Sequence, residues 1–161
     1  MPMTPFFERF PEIAARETRV AFVMEDHESL PAGEYGFVEF FCNEVGCDCR
    51  RVMLLVVRED AKGRVLATIS FGWEDPSFYD RWSLDPEIGE DLVGPFLDPL
   101  AVQSSHAPAL LELSRLVVSD PAYVERLRRH YRMFREAIDR PEPKPKRPAL
   151  PKKLPKRRKG R

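Results

Sequence analysis

The chain has 161 residues, of which 43% are hydrophobic, so one domain with a substantial core can account for most of it. No run approaches the roughly 18 apolar residues of a membrane-spanning helix, so we expect no membrane span. The formal net charge is zero, but residues 140–161 carry eleven Lys or Arg and one acid, which leaves −10 on residues 1–139. We therefore expect an acidic globular domain over residues 1–139 and a basic tail over residues 140–161.

The N-terminal segment predicts two short helices and a strand. Thr4 and Pro5 match the N-cap and first position of a helix, and Pro11 predicts a break in it. A second helical piece is expected near residues 13–19, followed by a short strand over residues 19–24. The first residues lack the basic region and clean apolar core of a secretory signal, so we expect a cytoplasmic protein with reduced thiols.

Three apolar runs rich in Val, Ile, Phe and Tyr occupy the centre, at residues 34–42, 51–57 and 64–71. Their lengths and the short segments between them predict an antiparallel meander. The middle run is almost entirely apolar, which is typical of a strand with both faces covered. Helices must cover at least one of these two faces.

The C-terminal half supplies those helices. Asp75 and Pro76 match an N-cap and first helical position, and residues 84–105 form a long loop rich in proline and acids. Helices are predicted over residues 108–118 and 121–138, the second with a single apolar stripe. The acids of the loop have no fixed spacing, so we interpret them as a solvated loop rather than as Mg²⁺ or acid–base groups. Together these elements predict an α+β fold, in which an antiparallel β-meander of three or four strands carries helices on one face.

The basic tail has six prolines from residue 141 onward and no aromatic residue. This composition predicts a disordered, partly polyproline-II arm. Its cations could bind a phosphate backbone through counterion release, without base readout, so nucleic acid or an acidic protein surface is the predicted partner. The predicted contact residues are Lys152, Lys153, Lys156, Arg157, Arg158 and Lys159. A solubilising tail and an arm folded back on the acidic domain remain alternatives.

All three cysteines of the chain, Cys42, Cys47 and Cys49, lie within eight residues between two predicted strands. In a hairpin, Cys42 and Cys49 would face each other at the base while Cys47 reaches in from the turn. Three thiolates can hold zinc at about 2.3 Å in three of its four tetrahedral positions. The adjacent Arg50 and Arg51 are expected to lower the thiol pKa values. The predicted cofactor is therefore zinc.

The fourth zinc ligand must come from another part of the chain or from water. We place His130 first, because a helix packed on the meander could bring its flank to the hairpin tip, and His106 second. His27 and a water remain open, and Asp48 is poorly placed to point inward. Two other interpretations of the thiols also remain: inert or redox-labile buried groups, or a catalytic nucleophile.

The cysteine segment, together with Gly72-Trp73-Glu74, residues 97–100 and residues 123–134, resembles a family of small, uncharacterised bacterial proteins. The resemblance covers roughly residues 30–135 and implies a bacterial cytoplasmic setting, but no activity. Some similar chains end in a cysteine-rich, zinc-binding tail like that of the SecA translocation motor. The tail here is basic and has no cysteine, so that second zinc function does not carry over.

The function predicted from the sequence is a zinc-stabilised, non-enzymatic binding or adaptor protein whose basic arm contacts nucleic acid or an acidic partner. The alternative is a metal- or thiol-dependent enzyme of unknown substrate. Four protein ligands in a closed site would favour the first interpretation, and three beside a cavity would favour the second.

Overall fold

The computed structural model describes residues 2–140, which form six strands and six α-helices. The strands are β1 (Met3–Pro5), β2 (Arg19–Val23), β3 (Gly33–Cys42), β4 (Arg51–Arg58), β5 (Val65–Gly72) and β6 (Gly94–Leu97). The helices are α1 (Phe6–Arg9), α2 (Pro11–Glu17), α3 (Pro76–Ser83), α4 (Gly89–Leu92), α5 (Ala107–Val118) and α6 (Pro121–Asp139). The predicted disordered arm and its six nucleic-acid contact residues lie outside the described residues.

The strands form one antiparallel sheet in the order β1-β3-β4-β5-β6. Strand β2 pairs with the beginning of β3, where Arg19 lies opposite Phe37, and β1 pairs with its end, where Met3 lies opposite Cys42. The predicted α+β fold is confirmed, although the sheet has six strands rather than three or four. The additional strands β1 and β6 have only three and four residues, too few for an alternating apolar pattern to be recognised.

The two faces of the sheet differ in burial. Phe37, Leu54 and Ile69 alternate onto one face and are fully buried, in the same core as Leu127 and Phe134 of α6. The residues that point the other way along β3 and β4 are mostly half-buried. Helices therefore cover one face, as predicted from the apolar stripe of the last helix.

The edge of β5 that β6 leaves unpaired is covered by irregular chain. The backbone N–H of Thr68 donates to Gln103 Oε1 at 2.9 Å, and Gln103 Nε2 donates back to the Thr68 carbonyl at 2.9 Å. The backbone N–H of Ser104 donates to the Leu66 carbonyl at 3.1 Å. The segment around residues 98–104 therefore continues along the edge of β5 where the pairing with β6 ends.

The start of the chain differs from its prediction. Thr4 lies in β1 opposite Phe41, and the first helix begins at Phe6 with Pro5 at its N-cap. The Thr4 hydroxyl accepts from Asn43 Nδ2 at 2.8 Å, so it does not cap the helix. The predicted break is confirmed, since Pro11 opens a new helix.

The acid-rich region over residues 84–105 is not the continuous loop that the composition predicts. It contains α4 and β6, and Gly94 takes a φ of 71° immediately before Pro95. The predicted cap of α3 is confirmed, because the Asp75 carboxylate accepts from the Phe78 N–H. Within residues 2–140 no helix has the length and apolar character needed to cross a bilayer.

Candidate metal centre

The loop between β3 and β4 brings the three thiols together. Cys42 ends β3, while Cys47 and Cys49 lie in the loop before β4 begins. Gly46 has a φ of 76° and Arg50 a φ of 44°, and these two left-handed positions turn the loop back on itself. All three Sγ atoms lie within 4.8 Å of one another. The predicted convergence of the cysteines is confirmed.

The spacing of the sulfur atoms suits a zinc ion. Tetrahedral geometry with a Zn–S distance of about 2.3 Å sets the sulfurs about 3.8 Å apart. The sulfurs therefore need to approach one another by about 1 Å at most. Thiolates are soft ligands, which favours zinc and similar ions over Mg²⁺ or Ca²⁺.

Burial controls the protonation of the thiols. Cys42 and Cys49 are fully buried and Cys47 is half-buried. Burial, reinforced by the neighbouring thiols, raises the pKa of Cys49 to about 12. Burial is also the main cause of the raised pKa of Cys47. Without a cation the thiols of Cys47 and Cys49 are thus protonated near neutral pH. A bound divalent ion would supply the positive charge that three adjacent thiolates require.

The expected lowering of the thiol pKa values by two arginines is wrong. Arg50 forms ion pairs with Asp48 and Glu74, at 2.9 and 3.5 Å. Arg51 Nη1 donates to the Leu92 carbonyl at 2.5 Å. Arg50 is paired with two acids and Arg51 donates one bond to a carbonyl, and burial is the largest effect on the pKa values of Cys47 and Cys49.

The last turns of α6 hold the cysteine loop. Arg135 Nη1 donates to the Cys42 carbonyl and Nη2 to the Glu44 carbonyl, both at 2.7 Å. Asp139 accepts from Arg135 Nη2 at 2.7 Å and from the Gly46 N–H at 2.9 Å. The sequence shows Arg135 and Asp139 only as a helical i,i+4 pair, so their role as loop anchors was missed.

A second pair of contacts holds the backbone of Arg50 at both its N–H and its carbonyl group. Its N–H donates to Tyr131 Oη of α6 at 3.1 Å, and its carbonyl accepts from Tyr79 Oη of α3 at 2.8 Å. The Asp48 carboxylate accepts from Arg50 Nε and Nη2 at 3.0 and 2.9 Å. Asp48 is therefore held away from the thiols, as the sequence predicted.

The structure does not bring His130 to the cysteines. Its Nδ1 lies 2.7 Å from Glu39 Oε2 and its Nε2 lies 2.6 Å from Glu17 Oε2. The fully buried ring also stacks on Phe6 with a centroid distance of 4.3 Å. Both nitrogens are engaged by carboxylates, which leaves neither for a metal ion. The helix flank that carries His130 faces Glu39 in the middle of β3 instead of the hairpin tip.

These contacts define a carboxylate–imidazole–carboxylate cluster in which His130 and Glu39 are buried and Glu17 is half-buried. Burial raises the pKa of Glu39, against the hydrogen bond from His130 that lowers it. The hydrogen bond from His130 lowers the pKa of Glu17, which also pairs with Arg129. The cluster links α2, β3 and α6, and sequence reasoning missed it because its members are far apart in the chain.

The other two histidines also lie elsewhere. His106 Nδ1 is 3.0 Å from the Ser29 carbonyl, and the backbone of His27 bonds with that of Leu30 in a turn. Every cysteine and histidine of the chain falls within residues 2–140. In that part of the chain no histidine or carboxylate joins the three thiols as a fourth ligand.

Two depressions border the centre. Cys47 lies at a surface groove of about 360 Å³ beside α6, whose wall includes Tyr131, Arg132 and Asp139. Cys49 lies at a cavity of about 410 Å³ on the opposite side, formed mainly by β4 and residues 98–101. The cysteine loop therefore borders two depressions, and of its three cysteines only Cys47 is partly exposed.

Comparisons with known proteins add no assignment: no family model, curated protein or solved structure matches the chain. The resemblance to small bacterial proteins remains a prediction from the motif residues. A proposal of function therefore rests on the geometry of the cysteine loop and its surroundings.

Proposed function

We propose that this is a zinc-stabilised, non-enzymatic binding or adaptor protein in which Cys42, Cys47 and Cys49 hold the ion. The observation that supports this proposal is the approach of all three Sγ atoms to within 4.8 Å in a loop anchored by α6 and α3. The loop joins the two central strands, so an ion bound there would link the end of the sheet to both helices. Such a cross-link stabilises a fold because the unfolded chain does not present the thiols together.

Three protein ligands beside a cavity are the arrangement expected of an enzyme, but the groups around the thiols favour a binding role. Hydrolytic zinc sites need a general acid or base beside the metal-bound water. Two carboxylates that line the groove beside Cys47 are engaged, Asp48 by Arg50 and Asp139 by Arg135 and Gly46. Three thiolates also donate charge to the ion and weaken its ability to acidify a water molecule.

A metal-dependent enzyme is the second candidate, because two features resemble catalytic sites. The described residues supply three ligands, as catalytic zinc proteins do, and Cys47 borders a groove. In the binding role, the fourth ligand would come from water or from a partner. X-ray absorption on the zinc-loaded protein should then show three sulfur neighbours and one lighter atom.

The metal site is tested by Cys47→Ser. We expect one zinc per chain in wild-type protein purified under reducing conditions. In the variant, zinc affinity should fall at least about 100-fold, since even changes that only reorient a ligand cost 10–100-fold. The melting temperature should fall with it. Metal analysis by mass spectrometry and thermal denaturation measure the two effects.

Asp48→Asn is the matched control, because it alters the same loop without removing a thiol. It should keep one zinc and change stability only slightly. The proposal would be overturned if wild-type protein bound no zinc after incubation with zinc and a reductant. It would also be overturned if Cys47→Ser still bound one zinc per chain.

We also propose that the basic tail contacts nucleic acid or an acidic protein surface. The support is its charge of +10 over residues 140–161. Deleting residues 141–161 should abolish salt-dependent retention on an immobilised nucleic-acid column and leave the melting temperature nearly unchanged. Replacing its six predicted contact cations by glutamine, at full length, controls for chain length. Equal retention after deletion would refute this role.

A further inference from the structure

The cavity beside Cys49 has the size and composition of a small-molecule site. Its volume is about 410 Å³, within the range of about 300–1,000 Å³ typical of ligand pockets. The walls are mainly apolar, with Met3 from β1, Met53 from β4, and Leu100 and Ala101 from the irregular segment. Leu100 is 96% exposed and stands at the rim.

A buried cation lines this apolar cavity. Arg51 is only 7% exposed, and its guanidinium lies between the rings of Tyr79 and Phe96, at 5.5 and 5.3 Å. Its Nη1 donates to the Leu92 carbonyl. No carboxylate within residues 2–140 lies within 4.0 Å of it, although nine arginine–carboxylate contacts of that length occur there.

The remaining donors of Arg51 are accessible from the cavity. In the described part of the chain, Nε and Nη2 of Arg51 make no hydrogen bond to protein. Neither atom is completely buried, so both can reach a molecule in the cavity. Since the residue is otherwise buried and lines the cavity, these donors open toward it. A buried guanidinium without a direct anion is costly, and a ligand carboxylate would relieve that cost through a forked pair of bonds.

We propose that the cavity binds a small carboxylic acid with an apolar body, with the carboxylate on Arg51 and the body among Met3, Met53 and Leu100. Asp98 lies on the same wall, with Oδ1 accepting from the Leu100 N–H at 2.8 Å. Its negative charge weakens the binding of an anion and limits the affinity. The proposal goes beyond the metal site and does not depend on zinc in the cysteine loop.

Octanoate is a suitable probe, because its chain fits the cavity and its relatives vary only the head group. Calorimetric titration of the zinc-loaded, full-length protein should show saturable binding of one octanoate. Octan-1-ol and octylamine should bind at least about 10-fold more weakly, since a hydrogen bond to a charged group contributes about 10- to 100-fold. Equal affinity for octanol, or no saturable octanoate binding, would overturn the proposal.

Three variants sharpen the test. Arg51→Met should weaken octanoate binding by about 10-fold or more. Asp98→Asn should strengthen it, because the repulsive charge is removed while an oxygen remains for Leu100. Leu100→Asp, at an exposed rim position with little risk to folding, should weaken it. An unchanged affinity in both Asp98→Asn and Leu100→Asp would overturn the site even if Arg51→Met fails to fold.

Discussion

Replacing His130 with leucine should lower the free energy of unfolding by about 3–5 kcal/mol, the usual cost of removing one partner from a buried charged cluster. The substitution leaves Glu39, which is 4% exposed, without its only hydrogen-bond partner among the described side chains. It also removes the stacking of the ring on Phe6. Urea denaturation followed by circular dichroism measures the loss.

The pH dependence of this loss has a definite sign. Burial already raises the pKa of Glu39, and the variant loses the opposing hydrogen bond from His130. A carboxyl group whose pKa is higher in the folded state than in the unfolded state destabilises the fold most at a pH above the folded-state pKa. This destabilisation disappears at a pH below the unfolded-state pKa, where the group is protonated in both states. The stability deficit of His130→Leu should therefore shrink as the pH falls toward the ordinary range of glutamic acid.

Two controls separate the cluster from a general effect of losing a histidine. His27→Leu, at an exposed position, should change stability by less than about 0.5 kcal/mol. The double variant with Glu39→Leu should recover much of the loss, because apolar replacements of a buried pair are often neutral. Glu17 keeps its ion pair with Arg129 in that variant. A loss below about 1 kcal/mol for His130→Leu would show that the cluster does not hold the helices to the sheet.

Gly72→Ala should destabilise the protein by about 1–3 kcal/mol or more, the range for forcing extra atoms into a packed interior. An added Cβ would lie 2.6 Å from Tyr79 Oη and closer still to the carbonyl oxygen of Leu92. Tyr79 donates to the Arg50 carbonyl, so its displacement would also loosen the cysteine loop. Urea denaturation of the zinc-loaded and zinc-free forms measures both consequences.

Gly36→Ala, in β3 two strands away, is the matched control. Its added Cβ would meet only Val57 Cγ2, at an ordinary 3.6 Å. This change should be neutral or stabilise by up to about 1 kcal/mol, since alanine restricts the unfolded chain. If Gly72→Ala were as stable as Gly36→Ala, the close approach of α3 and Leu92 to β5 would be disproved.

The sequence predicts the parts of this fold that repeat a pattern over many residues. The three central strands and the long apolar stripe of α6 are of this kind, because periodicity reports which side of an element is buried. The convergence of the cysteines was predictable for a local reason: a hairpin must bring its two ends together. Strands β1 and β6 were not predicted, since their pairing is imposed by β3 and β5.

The surroundings of the thiols were less predictable for a physical reason. Arg135 donates to the backbone carbonyls of Cys42 and Glu44. Every residue has such a carbonyl, so the sequence does not show which ones an arginine will bind. Likewise, nothing in the residues around His130 shows that Glu39, on a distant strand, takes the nitrogen that a metal would need. Such contacts depend on the angle at which α6 crosses the sheet, which periodicity does not specify.

The hydrogen bond between Gly46 and Asp139 has a consequence for how the two proposed functions could work together. Asp139 directly precedes Arg140, the first residue of the tail. Under the two proposals, a molecule captured at residues 152–159 would be tethered 13–20 residues of chain away from this anchor. Tethering of this kind raises effective concentration, so even a weak ligand donor on that molecule could occupy the fourth coordination position.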